Sequence, residues 1–272
     1  MLRSCLIALA CFGISATAFA QERSAVAQIA SETMQAMLPG PGEGETRAVF
    51  FWRPPGASDG PLPVIYVADG FSGLETTVEL IRPAILEGRA HPIVVVGMAA
   101  HPDFRTREYA LGRRANPLWE THFAWVTNTV IPWAEIHAGA STERSQRAVG
   151  GMSNGADFAI AAASRRPDLF GAVLAHSPVN ELRSWFHSEP DTRWVLTAGN
   201  MEDAGQVAQL SSRIAIAIGN SPVRQCIGSW GHEPRGWRNV SPGSIAWMFD
   251  FAAPDAVATA RERESCRVRH DG

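Results

Sequence analysis

The sequence contains no lysine, so all 24 of its basic side chains are arginines. Chemistry that needs a lysine amine is therefore excluded, including a Schiff base with pyridoxal phosphate, a phosphate-binding loop lysine and a Ser-Lys dyad. Charge is also scarce, with charged residues at 19% and a formal net charge of −3. A near-neutral chain offers no basic field to nucleic acid or to an acidic membrane surface, so we expect neither as a partner.

A membrane-spanning apolar run is absent too, although the N-terminus carries a shorter one. Arg3 gives a positive region, residues 6–14 are apolar, and the Ala-Phe-Ala sequence at 18–20 fits a small-x-small cleavage site. A bilayer span needs about 20 apolar residues, which this segment lacks. We therefore expect a signal peptide over residues 1–20, no membrane span, and a mature chain at 21–272 that is exported to the periplasm or beyond.

Cysteine is scarce, and its positions limit its roles. Cleavage after residue 20 removes Cys5 and Cys11 and leaves Cys226 and Cys266; cleavage before Cys11, as in a lipoprotein, is the less favoured alternative. In an oxidising compartment the remaining pair forms either one disulfide, which ties the C-terminal tail to the body, or two buried thiols. The sequence leaves both open. Neither cysteine has metal-ligand spacing, and we expect no metal and no cofactor.

The composition, with 46% hydrophobic residues, is that of a globular protein, and no long linker divides the chain. Apolar segments alternate with helical patterns, and Pro92–Met98 is a β-branched run typical of a strand buried on both faces. This alternation predicts one α/β domain with a mainly parallel twisted sheet, helices on both faces, and ligand chemistry at the carboxyl ends of the strands. The charged tail from Arg261 is expected to lie in solvent. The other predicted strands are Arg47–Arg53, Pro63–Ala68, Arg147–Gly151, Ala172–His176, Trp194–Ala198 and Val223–Ser229; the predicted helices are Trp119–Ile136 (interrupted near Pro132), Ala156–Ser164, Ala204–Ile218 and Ser241–Phe251.

The segment Gly151-Met152-Ser153-Asn154-Gly155 has the G-x-S-x-G pattern and lies between a predicted strand and an alanine-rich helix. This context is typical of a nucleophile elbow, whose tight strand-to-helix turn projects the serine hydroxyl above the sheet. Glycines on either side let strand and helix approach closely, and the helix N-terminus favours developing negative charge. An ordinary glycine-rich turn is the competing interpretation. We predict Ser153 as a nucleophile.

A serine hydroxyl needs a base to remove its proton, and in this architecture the base follows the serine and an acid in chain order. Among the later histidines, His232 closely follows the last predicted strand and precedes the last helix, so it is the predicted base. The others are His176 at a strand end, His187 in a polar connection and His270 in the charged tail.

The acid that orients the histidine is expected just after the strand Trp194–Ala198. Glu202 and Asp203 both qualify, and spacing from the strand does not separate them. The oxyanion hole should use the backbone N–H of Asn154, directly after the nucleophile, and a second N–H from the loop after an early strand. The Asp-Gly turn at residues 69–70 makes Phe71 the predicted second donor.

Several motifs occur in a characteristic order along residues 47–251. They are the strand Pro61–Gly70 ending in Asp-Gly, Arg105–Tyr109, Val130–Trp133, Arg147–Gly155, Arg166–Gly171, and Gly231–Glu233 followed by Trp237 and Arg238. These motifs resemble the α/β-hydrolase superfamily and, within it, the enterochelin-esterase and esterase-D-like group, which includes feruloyl and acetylxylan esterases. The resemblance implies an α/β-hydrolase fold and favours Glu202 as the acid. Ala156 and Thr129 depart from the group's pattern, and neither belongs to the predicted triad.

These residues predict a secreted serine hydrolase that cleaves carboxylic esters through an acyl-enzyme. The substrate is expected to be a small-molecule or carbohydrate-linked ester, such as a siderophore lactone or a feruloyl or acetyl ester. An acyltransferase with the same triad and a catalytically silent binding protein are the alternatives. Side chains beside the predicted site are candidate substrate contacts, namely Arg107, Tyr109, Trp185, Trp230 and Trp237. The natural ester and the oligomeric state stay open.

Overall fold

A computed structural model describes residues 23–111, 116–182, 184–251 and 254–269. The predicted signal peptide at 1–20 and His270 lie outside these ranges. Within them, residues 23–32 are helical, and nine strands form one sheet; numbered along the chain, the strands lie in the order 1-2-4-3-5-6-7-8-9 across it. None of the described helices is both long and apolar enough to cross a membrane.

The centre of the sheet is parallel, as the alternating pattern predicts. It contains β3 (Val64–Ala68), β4 (Val94–Met98), β5 (Arg147–Met152), β6 (Ala172–His176), β7 (Arg193–Gly199) and β8 (Val223–Gly228). Every residue of β3, β4, β5 and β6 is buried, because helices cover both faces. The register pairs Met152 with His176, so the carboxyl ends of β5 and β6 lie side by side.

Both edges of the sheet are antiparallel. At one edge β1 (Thr33–Pro39) pairs with β2 (Thr46–Trp52), and at the other β9 (Cys266–Arg269) pairs with β8. Cys226 and Cys266 face each other in that last pair and form a disulfide. The expectation of a solvated tail from Arg261 is therefore wrong, because the tail adds a strand and is covalently joined to β8.

Two sets of helices cover the sheet. One face carries α1 (Gly70–Leu86) and α8 (Pro242–Met248), and the other carries α3 (Pro117–Trp125), α5 (Asn154–Arg165) and α6 (Gln206–Ala217). The shorter helices are α2 (Arg105–Tyr109), α4 (Ile131–His137), α7 (Pro234–Arg238), α9 (Pro254–Val257) and α10 (Ala260–Ser265), with 3₁₀ turns at Arg144–Gln146 and Glu202–Gly205. α1 was not among the helices predicted from the sequence.

The helical segment around Pro132 is not broken at the proline. α3 instead continues through a π-helical turn at Val126–Val130 into α4, and the Ile131 N–H donates to the carbonyl of Val126, five residues back. Pro132 then lies in the first turn of α4, where its missing N–H is tolerated. The irregularity thus precedes the proline and lets the helix continue past it.

Candidate active site

Ser153 occupies the sharp turn between β5 and α5. Its backbone has φ 57° and ψ −125°, a strained conformation for a residue with a side chain. Both flanking glycines are required by close packing: a Cβ on Gly151 would lie 2.4 Å from the carbonyl carbon of Gly155, and a Cβ on Gly155 would lie 2.9 Å from Cβ of Ala68. The turn therefore presents the half-buried serine at the carboxyl edge of the sheet, next to the end of β3.

A buried carboxylate and an imidazole meet at the same edge. Glu202, in the 3₁₀ turn after β7, lies 2.6 Å from His232 Nδ1 through its Oε2 atom. The Glu202 side chain is 1% exposed, whereas that of His232 is 40% exposed. Since Nδ1 is engaged by the carboxylate, Nε2 is the ring nitrogen left for proton transfer with a ligand.

The other oxygen of Glu202 is also fully used. Oε1 accepts the Ser177 hydroxyl at 2.7 Å and the Gly199 N–H at 2.5 Å. Ser177 in turn accepts the indole N–H of Trp237 at 2.7 Å. These donors fix the carboxylate so that Oε2 is directed at His232. No sequence motif marks Ser177, whose position directly after β6 is the one signal for it.

The structure separates the two acid candidates. Asp203 and the next residue, Ala204, both have positive φ angles, 41° and 51°. The side chain of Asp203 is exposed. This reversal of the backbone directs the second carboxylate into solvent at the rim of a cleft. Among the described residues, the carboxylate in contact with His232 is that of Glu202.

Aromatic packing places the His232 ring near the elbow. The ring meets Trp237 edge-on with centroids 5.2 Å apart, and Trp237 stacks on His176 at 6.3 Å. The carbonyl of His176 accepts the Ser153 N–H at 2.9 Å. Within the described residues no hydrogen bond joins the Ser153 hydroxyl to His232. Catalytic hydrogen bonds in ligand-free sites are commonly long and tighten when substrate binds.

A cleft of about 430 Å³ opens beside this pair. Its lining mixes apolar and polar side chains, namely Val179, Glu181, Glu202, Asp203, Gln206, Val207, Leu210, Arg213 and His232. No group of three or more His, Cys, Asp or Glu side chains in the described ranges is arranged to hold a metal ion.

Other histidines have different surroundings. His176 is fully buried, its Nδ1 lies 2.8 Å from the Thr197 hydroxyl, and burial lowers its pKa to about 3, so it stays neutral beneath the site. His187 is exposed and contacts Glu189 at 2.9 Å. His122, in α3, is buried in a polar network with Arg47 and Glu108, and burial lowers its pKa to about 3 as well.

The amides predicted for the oxyanion hole both lie at helix starts. Asn154 begins α5, and Phe71 is in the first turn of α1. N–H groups in the first turn of a helix have no acceptor within the helix and so can bind an anion. The two turns approach each other, because Asp69 Oδ2 lies only 3.3 Å from the position of a Cβ on Gly155.

The five candidate substrate contacts differ in exposure. Arg107 is exposed, with its guanidinium 5.6 Å from the centroid of the Phe104 ring. Trp185 is half-buried and lines a cavity of about 50 Å³ with Ile160 and Leu182.

The remaining three candidates are buried. Tyr109 is 0% exposed, and its hydroxyl accepts the Asp69 N–H. Trp230 packs in a cluster with the disulfide, and Trp237 is 6% exposed and holds Ser177. A buried ring offers little surface to a ligand, so we interpret these three side chains as supports of the site.

Comparisons with known proteins agree with this architecture. The model of the Esterase family, described as "Putative esterase", matches residues 43–227. The chain is 26% identical over 140 residues to the uncharacterized protein YbbA of Bacillus subtilis (strain 168), a match that covers 48% of this chain and 55% of the relative. The chain thus spans about half the length of that curated relative.

Solved structures share the fold at low sequence identity. The enterobactin esterase FES of Shigella flexneri has a TM-score of 0.64 and 18% identity, over 82% of this chain and 58% of that chain. The ferulic acid esterase AmCE1/Fae1A of Anaeromyces mucronatus has a TM-score of 0.60 and 18% identity, over 76% of this chain and 88% of that chain. Since the family model covers more than half of the sequence, the chain belongs to the Esterase family, and its fold is that of the α/β-hydrolases.

Proposed function

We propose that the protein is a serine hydrolase of carboxylic esters, with Ser153 as nucleophile, His232 as base and Glu202 as the acid that orients it. The observation that carries the proposal is the 2.6 Å contact between buried Glu202 and His232 Nδ1, at the sheet edge where the elbow presents Ser153. Membership of the Esterase family supports the same class of chemistry.

Each residue has a defined part in the proposed reaction. The Ser153 oxygen attacks the ester carbonyl while its proton passes to His232 Nε2, and Glu202 stabilises the resulting imidazolium. The N–H groups of Asn154 and Phe71 bind the oxyanion of the tetrahedral intermediate. The carbonyl re-forms, the alcohol takes the proton from His232 and leaves, and an acyl-enzyme remains.

The second half of the reaction uses the same residues. Water enters beside His232, which removes its proton as the oxygen attacks the acyl carbonyl, and Ser153 leaves as the free hydroxyl. Because His232 lines the open cleft, we place the departing alcohol and the entering water there. An alcohol or sugar in place of water would make the protein an acyltransferase. We retain this second candidate because the cleft, at about 430 Å³, has room for such an acceptor.

The structures that share this fold indicate which class of ester to examine first. The enterobactin esterase and the ferulic acid esterase share the fold, and their names support small lactone and aromatic acyl esters as the first natural substrates to examine. The signal-peptide pattern at residues 1–20 supports export to the periplasm or beyond. Mass spectrometry of the exported protein should then find Gln21 as the first residue.

The direct test is hydrolysis of short p-nitrophenyl esters by the wild type, Ser153→Ala and Ser145→Ala. Ser145 is exposed at the opposite end of β5, so it controls for the substitution itself. We expect Ser153→Ala to lower kcat by at least about 10³-fold and Ser145→Ala to match the wild type. Equal activity in the wild type and Ser153→Ala would refute the assignment. No labelling of the wild type by a fluorophosphonate would favour a silent binding protein.

A further inference from the structure

Two side chains, Tyr109 and Arg105, contact Asp69 in the short loop between β3 and α1, just before Phe71 in the first turn of α1. Asp69 and Gly70 both have positive φ, 69° and 56°. The Asp69 N–H donates to the Tyr109 hydroxyl oxygen at 2.8 Å. Arg105 donates two hydrogen bonds to the Asp69 carboxylate, at 2.5 and 2.8 Å. The left-handed region is less favourable for a residue with a side chain than for glycine, and these contacts hold Asp69 there.

The group that accepts the Asp69 N–H is itself rigidly held. Tyr109 is completely buried at the end of α2. The preceding residue, Glu108, is 3% exposed and accepts hydrogen bonds from Arg47 at 2.8 Å and from the His101 N–H at 2.8 Å. The Tyr109 ring packs against His122 and Phe158, and its backbone adjoins the buried ion pair of Glu108, so the position of its hydroxyl is well defined.

The carboxylate of Asp69 also matters electrostatically. Its Oδ2 atom lies 3.3 Å from the position of a Cβ on Gly155, two residues after Ser153. An unpaired carboxylate there would oppose the negative charge that develops on the ester oxygen in the transition state. The bidentate contact with Arg105 compensates this charge, since a guanidinium matches both carboxylate oxygens.

We propose that Tyr109 and Arg105 are positioning residues of the ester-hydrolysis site, acting through Asp69: Tyr109 holds the turn that directs the Phe71 N–H at the oxyanion, and Arg105 neutralises the carboxylate beside it. This inference rests on the proposed function, because it requires an oxyanion between the amides of Asn154 and Phe71. Neither side chain is proposed to contact the substrate. Their effect is therefore expected in kcat and in the binding of transition-state analogues, with little effect on KM.

Tyr109→Phe tests the first role, with Tyr66→Phe as its matched control. These are the two tyrosines of the chain, both fully buried, and Tyr66 lies within β3 away from the loop. We expect Tyr109→Phe to lower kcat about 10- to 100-fold, to leave KM within about 2-fold, and to weaken a trifluoromethyl ketone inhibitor by the factor lost in kcat/KM. Equal kcat values in Tyr109→Phe and Tyr66→Phe would overturn this role.

Charge variants test the second role. We expect Arg105→Ala to lower kcat by about 10-fold or more, and Arg105→Lys to lower it less because the positive charge is kept. Adding Asp69→Asn to Arg105→Ala removes the uncompensated carboxylate, so part of the lost kcat should return. A purely structural role of the ion pair predicts no such recovery, and a double variant no better than Arg105→Ala would overturn the electrostatic part of the proposal.

One readout does not depend on ester turnover. The Asp69 amide should exchange its hydrogen about 10-fold or more faster in Tyr109→Phe than in Tyr66→Phe, because its acceptor is gone. Unchanged exchange would overturn the support of the loop even if the enzyme is active. Failure of the proposed function has a different signature: wild type and Ser153→Ala would hydrolyse esters equally, while the exchange experiment would still report whether Tyr109 holds this turn.

Discussion

Two buried glutamates, Glu202 at the carboxyl edge of the sheet and Glu262 in the C-terminal tail, accept hydrogen bonds from similar kinds of donor in different surroundings. Glu262 is 0% exposed. It accepts the N–H groups of Gly243 and Thr259 at one oxygen, and the N–H and hydroxyl of Ser244 at the other. Glu202 likewise accepts a backbone N–H and a serine hydroxyl, but its remaining partner is the imidazole of His232.

The comparison teaches that burial of a satisfied carboxylate does not by itself identify a catalytic group. The hydrogen-bond partners of Glu262 belong to α8 and the tail, and the Arg224 guanidinium of β8 lies 3.8 Å from its Oε1 atom, so this carboxylate fixes the tail against the body. Glu202 transmits its charge to a ring that is 40% exposed beside a cleft. The difference between a structural and a catalytic carboxylate thus lies in one partner. We expect substitution of Glu202 to lower kcat and substitution of Glu262 to lower the free energy of unfolding.

The largest expected effect is that of Glu202→Gln on hydrolysis. The variant keeps the size of the side chain and loses the charge that stabilises the imidazolium, so we expect kcat to fall about 10³- to 10⁴-fold. Asp203→Asn is the matched control, one residue along the chain on an exposed carboxylate, and should change kcat by less than about 2-fold. Steady-state rates on one p-nitrophenyl ester decide this, and a greater loss in Asp203→Asn would reverse the assignment of the acid.

Changes in the C-terminal tail should alter the stability of the protein. Opening the Cys226–Cys266 disulfide, which closes a segment with a sequence separation of 40, is expected to lower the free energy of unfolding by about 2–4 kcal/mol. Urea unfolding of the oxidised and reduced protein measures this, with Cys226→Ala/Cys266→Ala as a form that dithiothreitol cannot alter. Equal midpoints before and after reduction would contradict a stabilising role of this bond.

Glu262→Gln should lower stability somewhat less, by about 2–3 kcal/mol, because the amide NH₂ would face donors that the carboxylate now accepts. In the same helix, Glu264→Gln is the exposed control and should lie within about 0.5 kcal/mol of the wild type. The comparison with Glu202 requires kcat at 25 °C to stay near the wild-type value in folded Glu262→Gln. If Glu262→Gln lost kcat without losing stability, the assignment of a structural role to Glu262 and a catalytic role to Glu202 would be contradicted.

The centre of the fold is predictable from the sequence because its strands are buried on both faces. Pro92–Met98 reads as a continuous β-branched run, and β4 lies within it. The edge strands gave no such signal. β1 is half-exposed and its pairing depends on β2, while the charged tail folds only because β8, α8 and a disulfide supply its partners. Contacts of this kind are distant in sequence and leave no local pattern.

The site residues also fall into those that a local sequence motif predicts and those that it does not. Ser153 and its glycines are recognised locally, because the strained turn needs residues that avoid a Cβ clash. The choice between Glu202 and Asp203 was not available from spacing, since both follow β7 directly, and the positive φ angles at 203 and 204 decide which one turns inward. Ser177, which fixes Glu202 from the position directly after β6, has no motif at all.

A third buried carboxylate, Asp157, sharpens the comparison through pH and gives the smallest expected effect. It lies one turn after Ser153 in α5, is 8% exposed, and accepts the N–H groups of Val179 and Asn180 at 3.0 and 3.1 Å. Burial raises the pKa of Asp157 to about 6 although these donors oppose the shift. The folded protein therefore binds this proton more tightly than the unfolded chain does.

The sign of the pH dependence follows from that tighter binding. The stability contributed by protonated Asp157 is complete below the ordinary pKa of an aspartate, about 4, and is lost as the pH rises through about 6, at no more than about 1.4 kcal/mol per pH unit. Urea unfolding from pH 4 to 7 should thus show wild-type stability falling relative to Asp157→Asn, with exposed Asp59→Asn parallel to the wild type. A difference that grows with pH instead would mean that the amide donors outweigh burial and that Asp157 is held as an anion.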